Sequence, residues 1–268
     1  ERNETFVSIA EAKNSRKKIN AFDKPSAESE VFELCQSGKQ RRKNELFRRA
    51  EDITTKPVRL YEAGNGTQNS NEPKTDTMIK KELLLGDEAI AWGALNAGLS
   101  GVYAYPGTPS TEITEFIQMH PLTRERGIHC NWSANEKTAL EAALGMSFVG
   151  KRALVCMKHV GMNVCADAFV NSAMTGANGG LVVVTADDPS MHSSQNEQDS
   201  RFYAKFAMIP CFEPASQQEA YEMIGEAFDF SEKYQIPVLM RVTTRMAHSR
   251  AVVEIGEPRQ QNTLHYPE

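Results

Sequence analysis

The run Leu181–Thr185 (LVVVT) has no polar side to turn towards water. A strand that is apolar on both faces has to be covered on both, as the central strand of a parallel sheet is. The segments around it fit that requirement. Short β-branched or aromatic runs at Gly101–Tyr105, Ile128–Trp132, Ala153–Met157 and Pro237–Val242 alternate with helical patterns. The helices are predicted over Glu88–Gly98, over a stretch capped by Ser110 and running through Met119, and over Asn135–Val149, Met162–Met174 and Ser216–Tyr234. Gly98 ends the first, and Ser216 with Glu219 three residues on forms a capping box for the last. Strand and helix in alternation predict a doubly wound α/β domain, a mostly parallel sheet with helices on both faces. In such a sheet the strand C-termini line up, and ligands gather there.

That pattern starts abruptly near Met78. Residues 1–77 carry 15 of the 30 Lys and Arg, include the basic run Gly38–Arg49, and pass into the polar tract Gly64–Asp76. So little large apolar surface cannot offset chain entropy, which predicts a largely disordered leader. A nucleic-acid-binding or targeting arm is the other reading of a basic run. The folded domain is expected over residues 78–255, and residues 256–268 as the start of a linker to a further domain. A formal net charge of −5 gives no reason to expect nucleic acid or an anionic membrane as partner. No apolar run approaches the roughly 20 residues of a membrane span. Cys35, Cys130, Cys156, Cys165 and Cys211 contain no Cys-x-x-Cys pair, which argues against a zinc ribbon or an iron–sulfur cluster built from this chain alone. Four of them lie in or beside apolar segments and read as buried, reduced thiols, which fits the cytoplasm.

Four loops are expected at the strand C-terminal edge: Pro106–Thr111, Ser133–Glu136, Lys158–Asn163 and Asp187–Arg201. All are more polar than a connection needs to be. Glu136 opens a helix directly after a strand. It is either a carboxylate placed for the helix dipole or a sheltered one that holds a proton against a ligand nitrogen. In Tyr105–Ser110 (YPGTPS) two prolines and a glycine fix a bend that presents Thr108 and nearby N–H groups. A rigid connection would need the same residues. Met191–Arg201 (MHSSQNEQDSR) either orders over a ligand or lies as solvated surface.

Taken together, Gly86–Ile90 (GDEAI), Val102–Glu112 (VYAYPGTPSTE), Asn135-Glu136-Lys137, Lys158–Asn163 (KHVGMN) and Ser193–Arg201 occur in register. In that arrangement the chain resembles the alpha subunit of the indolepyruvate:ferredoxin oxidoreductases over about residues 79–255. These are thiamine diphosphate enzymes of the wider 2-oxoacid:ferredoxin oxidoreductase family. The resemblance implies a pyrimidine-binding domain. In it Glu136 bonds a ring nitrogen of the aminopyrimidine and favours the imino tautomer, whose nitrogen removes the proton from the thiazolium carbon. The cofactor supplies the carbanion chemistry and the protein supplies tautomer control and position. By the same route Gly107, His159 and Asn163 would line the cofactor pocket, with His159–Asn163 forming a loop after Met157. Thr108 would meet the substrate carboxylate, and Arg201 would face the oxoacid or pin its loop.

The activity so implied is oxidative decarboxylation of indolepyruvate and other aryl 2-oxoacids to acyl-coenzyme A, with electrons passed to ferredoxin. The Gly-Asp-Gly motif that holds magnesium and diphosphate in such enzymes does not occur in this sequence, and Gly86-Asp87-Glu88 precedes the first predicted strand. Magnesium and 4Fe-4S clusters are therefore expected on other parts: the C-terminal domains of the alpha subunit and a beta subunit, in an oligomer. This chain alone is expected to be a fragment without turnover. A non-catalytic assembly module descended from the same fold is the alternative. A flavodoxin-like nucleotide module is disfavoured, because no G-x-G-x-x-G follows the first predicted strand.

Overall fold

A computed structural model describes residues 80–265. The expected leader, residues 1–77, and Cys35 lie outside them, as do residues 266–268. In chain order the first elements are β1 (Lys80–Leu85), α1 (Gly86–Asn96), β2 (Gly101–Ala104), α2 (Thr111–Met119), α3 (Pro121–Glu125), β3 (His129–Trp132) and α4 (Glu136–Phe148). Then come β4 (Ala153–Lys158), α5 (His159–Thr175), β5 (Leu181–Asp187), α6 (Arg201–Ala207) and β6 (Cys211–Phe212). The last are α7 (Gln217–Tyr234), β7 (Val238–Thr243), α8 (Thr244–His248) and β8 (Arg250–Ile255).

Six strands form one parallel sheet in the order β3-β2-β4-β5-β7-β6. Leu181–Asp187 is buried at every position and pairs with β4 on one side and β7 on the other, as its two apolar faces require. The period-2 alternation of side chains explains how it serves two layers. Val182, Val184 and Ala186 join one core with Leu154, Cys156, Val238 and Met240, under α1, α2, α7 and α8. Leu181 and Val183 join the other with Ala153, Val155, Met157 and Leu239, under α4, α5 and α6. Phe228 anchors the first core and Phe169 the second, both fully buried. Truncating either to Ala would cost about 3–5 kcal/mol.

A two-stranded antiparallel ribbon, β1 with β8, was not foreseen. It buries Leu84, Val253 and Ile255 against Ala89 of α1 and leaves Leu83 and Val252 exposed. Residues 256–265 have no regular structure, yet they are held to the domain. The Arg259 N–H donates to Asn96 O (2.7 Å), the Leu264 N–H to Gly150 O (2.8 Å), and the Gln261 amide to Leu99 O (2.6 Å).

Two capping expectations need correction. Ser110 makes no side-chain cap; its hydroxyl turns back and donates to Gly107 O (2.8 Å), while the Gly107 N–H donates to Thr111 Oγ1 (2.9 Å). Ser216 does cap α7 through the Glu219 N–H, but the Glu219 carboxylate accepts from Ala215, one residue before the expected partner. The thiols also divide. Cys156 and Cys165 are buried, Cys130 is half-buried, and Cys211 is exposed because β6 is a two-residue strand at the sheet edge. Among the described residues no helix is long and apolar enough to cross a membrane.

Candidate functional site

The strand order reverses direction at β2. The chain goes from β2 outward to β3, then returns to lay β4 on the other side of β2. The helix after β2 covers one face of the sheet and the helix after β4 covers the opposite face. A crevice opens between two such strand ends, the usual ligand position of doubly wound sheets.

At this crevice Gly107, on the bend after β2, backs onto Lys158 at the end of β4. A Cβ there would lie 3.1 Å from Lys158 Cβ. The Lys158 ammonium donates to Ser193 O (2.8 Å), tying the β4 end to the loop after β5. Thr108 is exposed on the bend, next to a cis Thr108–Pro109 peptide.

Glu136 is the first residue of α4 and only 8% exposed. The cap bonds at this helix end run between Asn135 and Thr138 and leave Glu136 out. Its carboxylate bonds to no other group among the described residues. Instead its side chain lies against the first turn of α5, where a Cβ on Gly161 would sit 2.6 Å from Glu136 Cγ and 2.7 Å from Oε1. Only a residue without a side chain lets the carboxylate lie there. Burial, and then the negative charge of Glu136, pushes the neighbouring Cys165 thiol up to about 12. Cys165 therefore stays protonated and inert beside it.

The expected loop His159–Asn163 is not a loop. Helix α5 begins at His159, directly after β4. Lys158, His159 and Asn163 make the segment read as a loop, but tertiary partners satisfy these polar side chains. His159 is fully buried, and its Nε2 donates to Asn196 O (3.2 Å) and Oδ1 (3.1 Å). The Gln198 amide donates to His159 O (2.8 Å). The exposed Asn163 accepts from the Tyr203 hydroxyl of α6.

The loop after β5 is ordered by its own carboxylates. Asp188 accepts from the Ser193 N–H (2.8 Å), the His192 N–H (3.2 Å), Ser194 Oγ (2.6 Å) and Thr244 Oγ1 (2.8 Å). Burial pushes this carboxyl up, but the bonds from Ser194, Ser193, Thr244 and His192 outweigh it and hold it well below the usual carboxylate range. Ser190 and Met191 adopt left-handed backbone here, which costs roughly 1–2 kcal/mol per residue. The Ser190 N–H donates to Glu197 Oε1 (2.6 Å), which helps offset that cost.

At the loop's far end Arg201 grips Asp199 with Nε and Nη2 (2.8 and 2.7 Å) and reaches Glu213 (3.5 Å). Its guanidinium is thus engaged near β6. Glu136, Gly107 and His159 gather on the β2/β4 side through Gly161, Lys158 and Asn196. Of these last three only Asn196 is singled out from the sequence, among the polar side chains of Met191–Arg201 that either order over a ligand or lie as solvated surface. Gly161 and Lys158 were nonetheless inside the motif Lys158–Asn163.

The arrangement suits an aminopyrimidine. It offers a sheltered carboxylate without a partner among the described residues, a glycine where the carboxylate lies, and a bend that exposes Thr108 at a sheet switch point. Comparison with known proteins agrees. Residues 92–267 match the family model of the thiamine diphosphate-binding domain of pyruvate flavodoxin/ferredoxin oxidoreductase. The chain is 50% identical over 189 residues to the indolepyruvate oxidoreductase subunit IorA of Archaeoglobus fulgidus, covering 70% of this chain and 30% of that protein. It is 52% identical over 178 residues to IorA of Pyrococcus horikoshii, covering 66% and 27%. To the 2-oxoglutarate synthase subunit KorA of Methanothermobacter thermautotrophicus it is 29% identical over 189 residues, covering 67% and 49%. The chain thus spans under a third of the IorA subunits it matches. In fold it is similar to the 2-oxoglutarate:ferredoxin oxidoreductase of Magnetococcus marinus solved with 2-oxoglutarate, coenzyme A and succinyl-CoA bound. The TM-score is 0.58 at 22% identity, covering 66% of this chain and 32% of that one. This chain belongs to the family of thiamine diphosphate-binding domains of the pyruvate flavodoxin/ferredoxin oxidoreductases.

Proposed function

We propose that this chain is the N-terminal, pyrimidine-binding part of a 2-oxoacid:ferredoxin oxidoreductase of the indolepyruvate type. The reaction is the oxidative decarboxylation of indolepyruvate and related aryl 2-oxoacids to acyl-coenzyme A, with two electrons passed to ferredoxin. The single observation that carries the reading is Glu136: nearly buried, without a partner among the described residues, and seated on Gly161 at the crevice.

Thiamine diphosphate, when bound, supplies the nucleophilic carbon and the electron sink. The chain's own residues do the rest. Glu136 holds a proton at a pyrimidine ring nitrogen, in a setting that excludes most water. Gly107 and Asn163 line the cofactor pocket, and the fully buried His159 acts from behind it by holding Asn196 and the loop after β5 in place. Thr108 donates to the substrate carboxylate. Arg201, gripped by Asp199 and Glu213, pins the loop. Magnesium, the diphosphate site and the 4Fe-4S clusters lie on the remaining alpha-subunit domains, which work with a beta subunit in a cytoplasmic oligomer. The preference for indolepyruvate rests on the two IorA proteins, about 50% identical, against 29% for KorA.

The test restores the missing domains and the partner subunit and follows indolepyruvate-dependent reduction of an electron acceptor. Glu136→Gln should lose about a hundredfold or more, the scale of positioned proton transfer. Full activity in Glu136→Gln, with the chain present at full stoichiometry, would instead identify an assembly module.

A further inference from the structure

The mechanism leaves one group of side chains unused. Asp87 (second residue of α1), Glu112 (second residue of α2) and His248 (last residue of α8) each bring one ligand atom to within 4.8 Å of the other two. Asp87 is completely buried, and neither of its oxygens has a partner among the described residues. Glu112 Oε2 is buried and unpartnered as well. His248 Nε2 lies 3.4 Å from Glu112 Oε1.

The three unpartnered oxygens, two of Asp87 and one of Glu112, are costly to bury unless a cation compensates them. The nearby Glu88, whose carboxylate accepts from the Leu85 N–H (2.8 Å), adds further negative charge. The geometry is also held from outside. Helix α1 begins hard against α8, with space at Gly86 for nothing larger than hydrogen: a Cβ would lie 2.1 Å from Met246 O. The Gly86 N–H donates to Ser249 O (3.2 Å). These contacts fix α1, which carries Asp87, against α8, which carries His248.

We propose that Asp87, Glu112 and His248 form a binding site for one divalent transition-metal ion, of which zinc is the best fit. Two carboxylate oxygens and one imidazole nitrogen are a borderline donor set suited to zinc, with water in the fourth position. Ligands about 2.1 Å from a tetrahedral ion stand about 3.4 Å apart. His248 is already at that distance from Glu112, and rotation of the two carboxylates closes the remainder. The site is reachable, because the side chains of Glu112 and His248 are each about one-third exposed (34% and 35%). Its position suggests what the ion does. Glu112 lies two residues after the Tyr105–Ser110 bend, so the ion clips α1, α2 and α8 together behind that bend and steadies it.

The test uses the full 268-residue chain, stripped with a chelator and titrated with zinc and with cobalt(II) as a spectroscopic probe. One equivalent should bind, with a cobalt spectrum of oxygen and nitrogen ligands, and should raise the melting temperature. His248→Ala removes a partly exposed side chain and should not impair folding. It should weaken binding by roughly a hundredfold, the upper end of what loss of even an outer-shell partner costs. Asp87→Asn should weaken it comparably. Three results would overturn the proposal. One is no binding by the wild type. Another is equal binding by wild type and both variants, which marks unrelated surface groups. The last is a metal-free Asp87→Asn chain that melts higher than the wild type while neither binds metal, which marks two carboxyls sharing a proton.

Discussion

Gly161 and Glu136, 25 positions apart in the chain, share one small volume: a methyl group on the glycine would lie 2.6 Å from the glutamate Cγ. The carboxylate therefore owes its place to a missing side chain on another helix. Gly161→Ala should gain helix propensity, worth up to about 1 kcal/mol, and lose a roughly similar amount to overpacking. Stability should change little. Glu136 should be pushed out of place, so that activity of the reassembled enzyme and its affinity for thiamine diphosphate both fall. Urea unfolding and cofactor titration on the same variant check this, and an alanine variant with unchanged affinity would refute it.

Asp188 latches the loop after β5 through four donors. Its carboxyl is held below the usual range in the fold, so its contribution is complete above the unfolded value of about 3.9 and is lost as pH falls through the lower folded value. Asp188→Asn should cost about 1–3 kcal/mol at neutral pH, the scale of buried polar groups left unmatched. Amide exchange at His192 and Ser193 should speed up. The stability gap between wild type and variant should stay constant above about pH 4 and narrow in stronger acid. A gap that widens in acid would contradict the latch.

The buried pair Asp187–Arg241 (2.8 Å) sits beneath the same loop, with Asp187 also accepting from the Ser200 hydroxyl (2.6 Å) and N–H (3.1 Å). Burial disfavours the Arg241 charge, but Asp187 and Glu213 more than restore it. Arg241→Leu strands the carboxylate and should destabilise the domain by about 3–5 kcal/mol. Chemical denaturation measures this. The double variant Asp187→Asn with Arg241→Leu should recover part of the loss.

Gly150 holds the 256–265 strap. It has φ +82°, and a Cβ would lie 1.7 Å from Leu264 O. Gly150→Ala should cost about 1–2 kcal/mol for the left-handed backbone alone and release the strap. Limited proteolysis between residues 256 and 265 should accelerate in this variant, while the core strands stay protected.

Leu181–Thr185 announced a doubly covered strand because apolar residues at both parities admit one solution. Ser216 announced its helix start because caps act over three residues, and local chemistry suffices. The same locality placed Glu136 at a helix entrance. What the residues alone determined is thus the alternation of elements and three of the four polar loops. The β1–β8 ribbon escaped because its partners are 165 to 175 positions apart, and β1 buries one face of a six-residue strand only partly. His159–Asn163 passed for a loop because its polar groups are satisfied by Asn196, Gln198 and Tyr203, none of them neighbours in sequence. The seat of Glu136 on Gly161, the latch on Asp188 and the convergence of Asp87, Glu112 and His248 are of the same kind. Each depends on distances between segments, which the packing of helices onto the two sheet faces decides and local propensity does not carry.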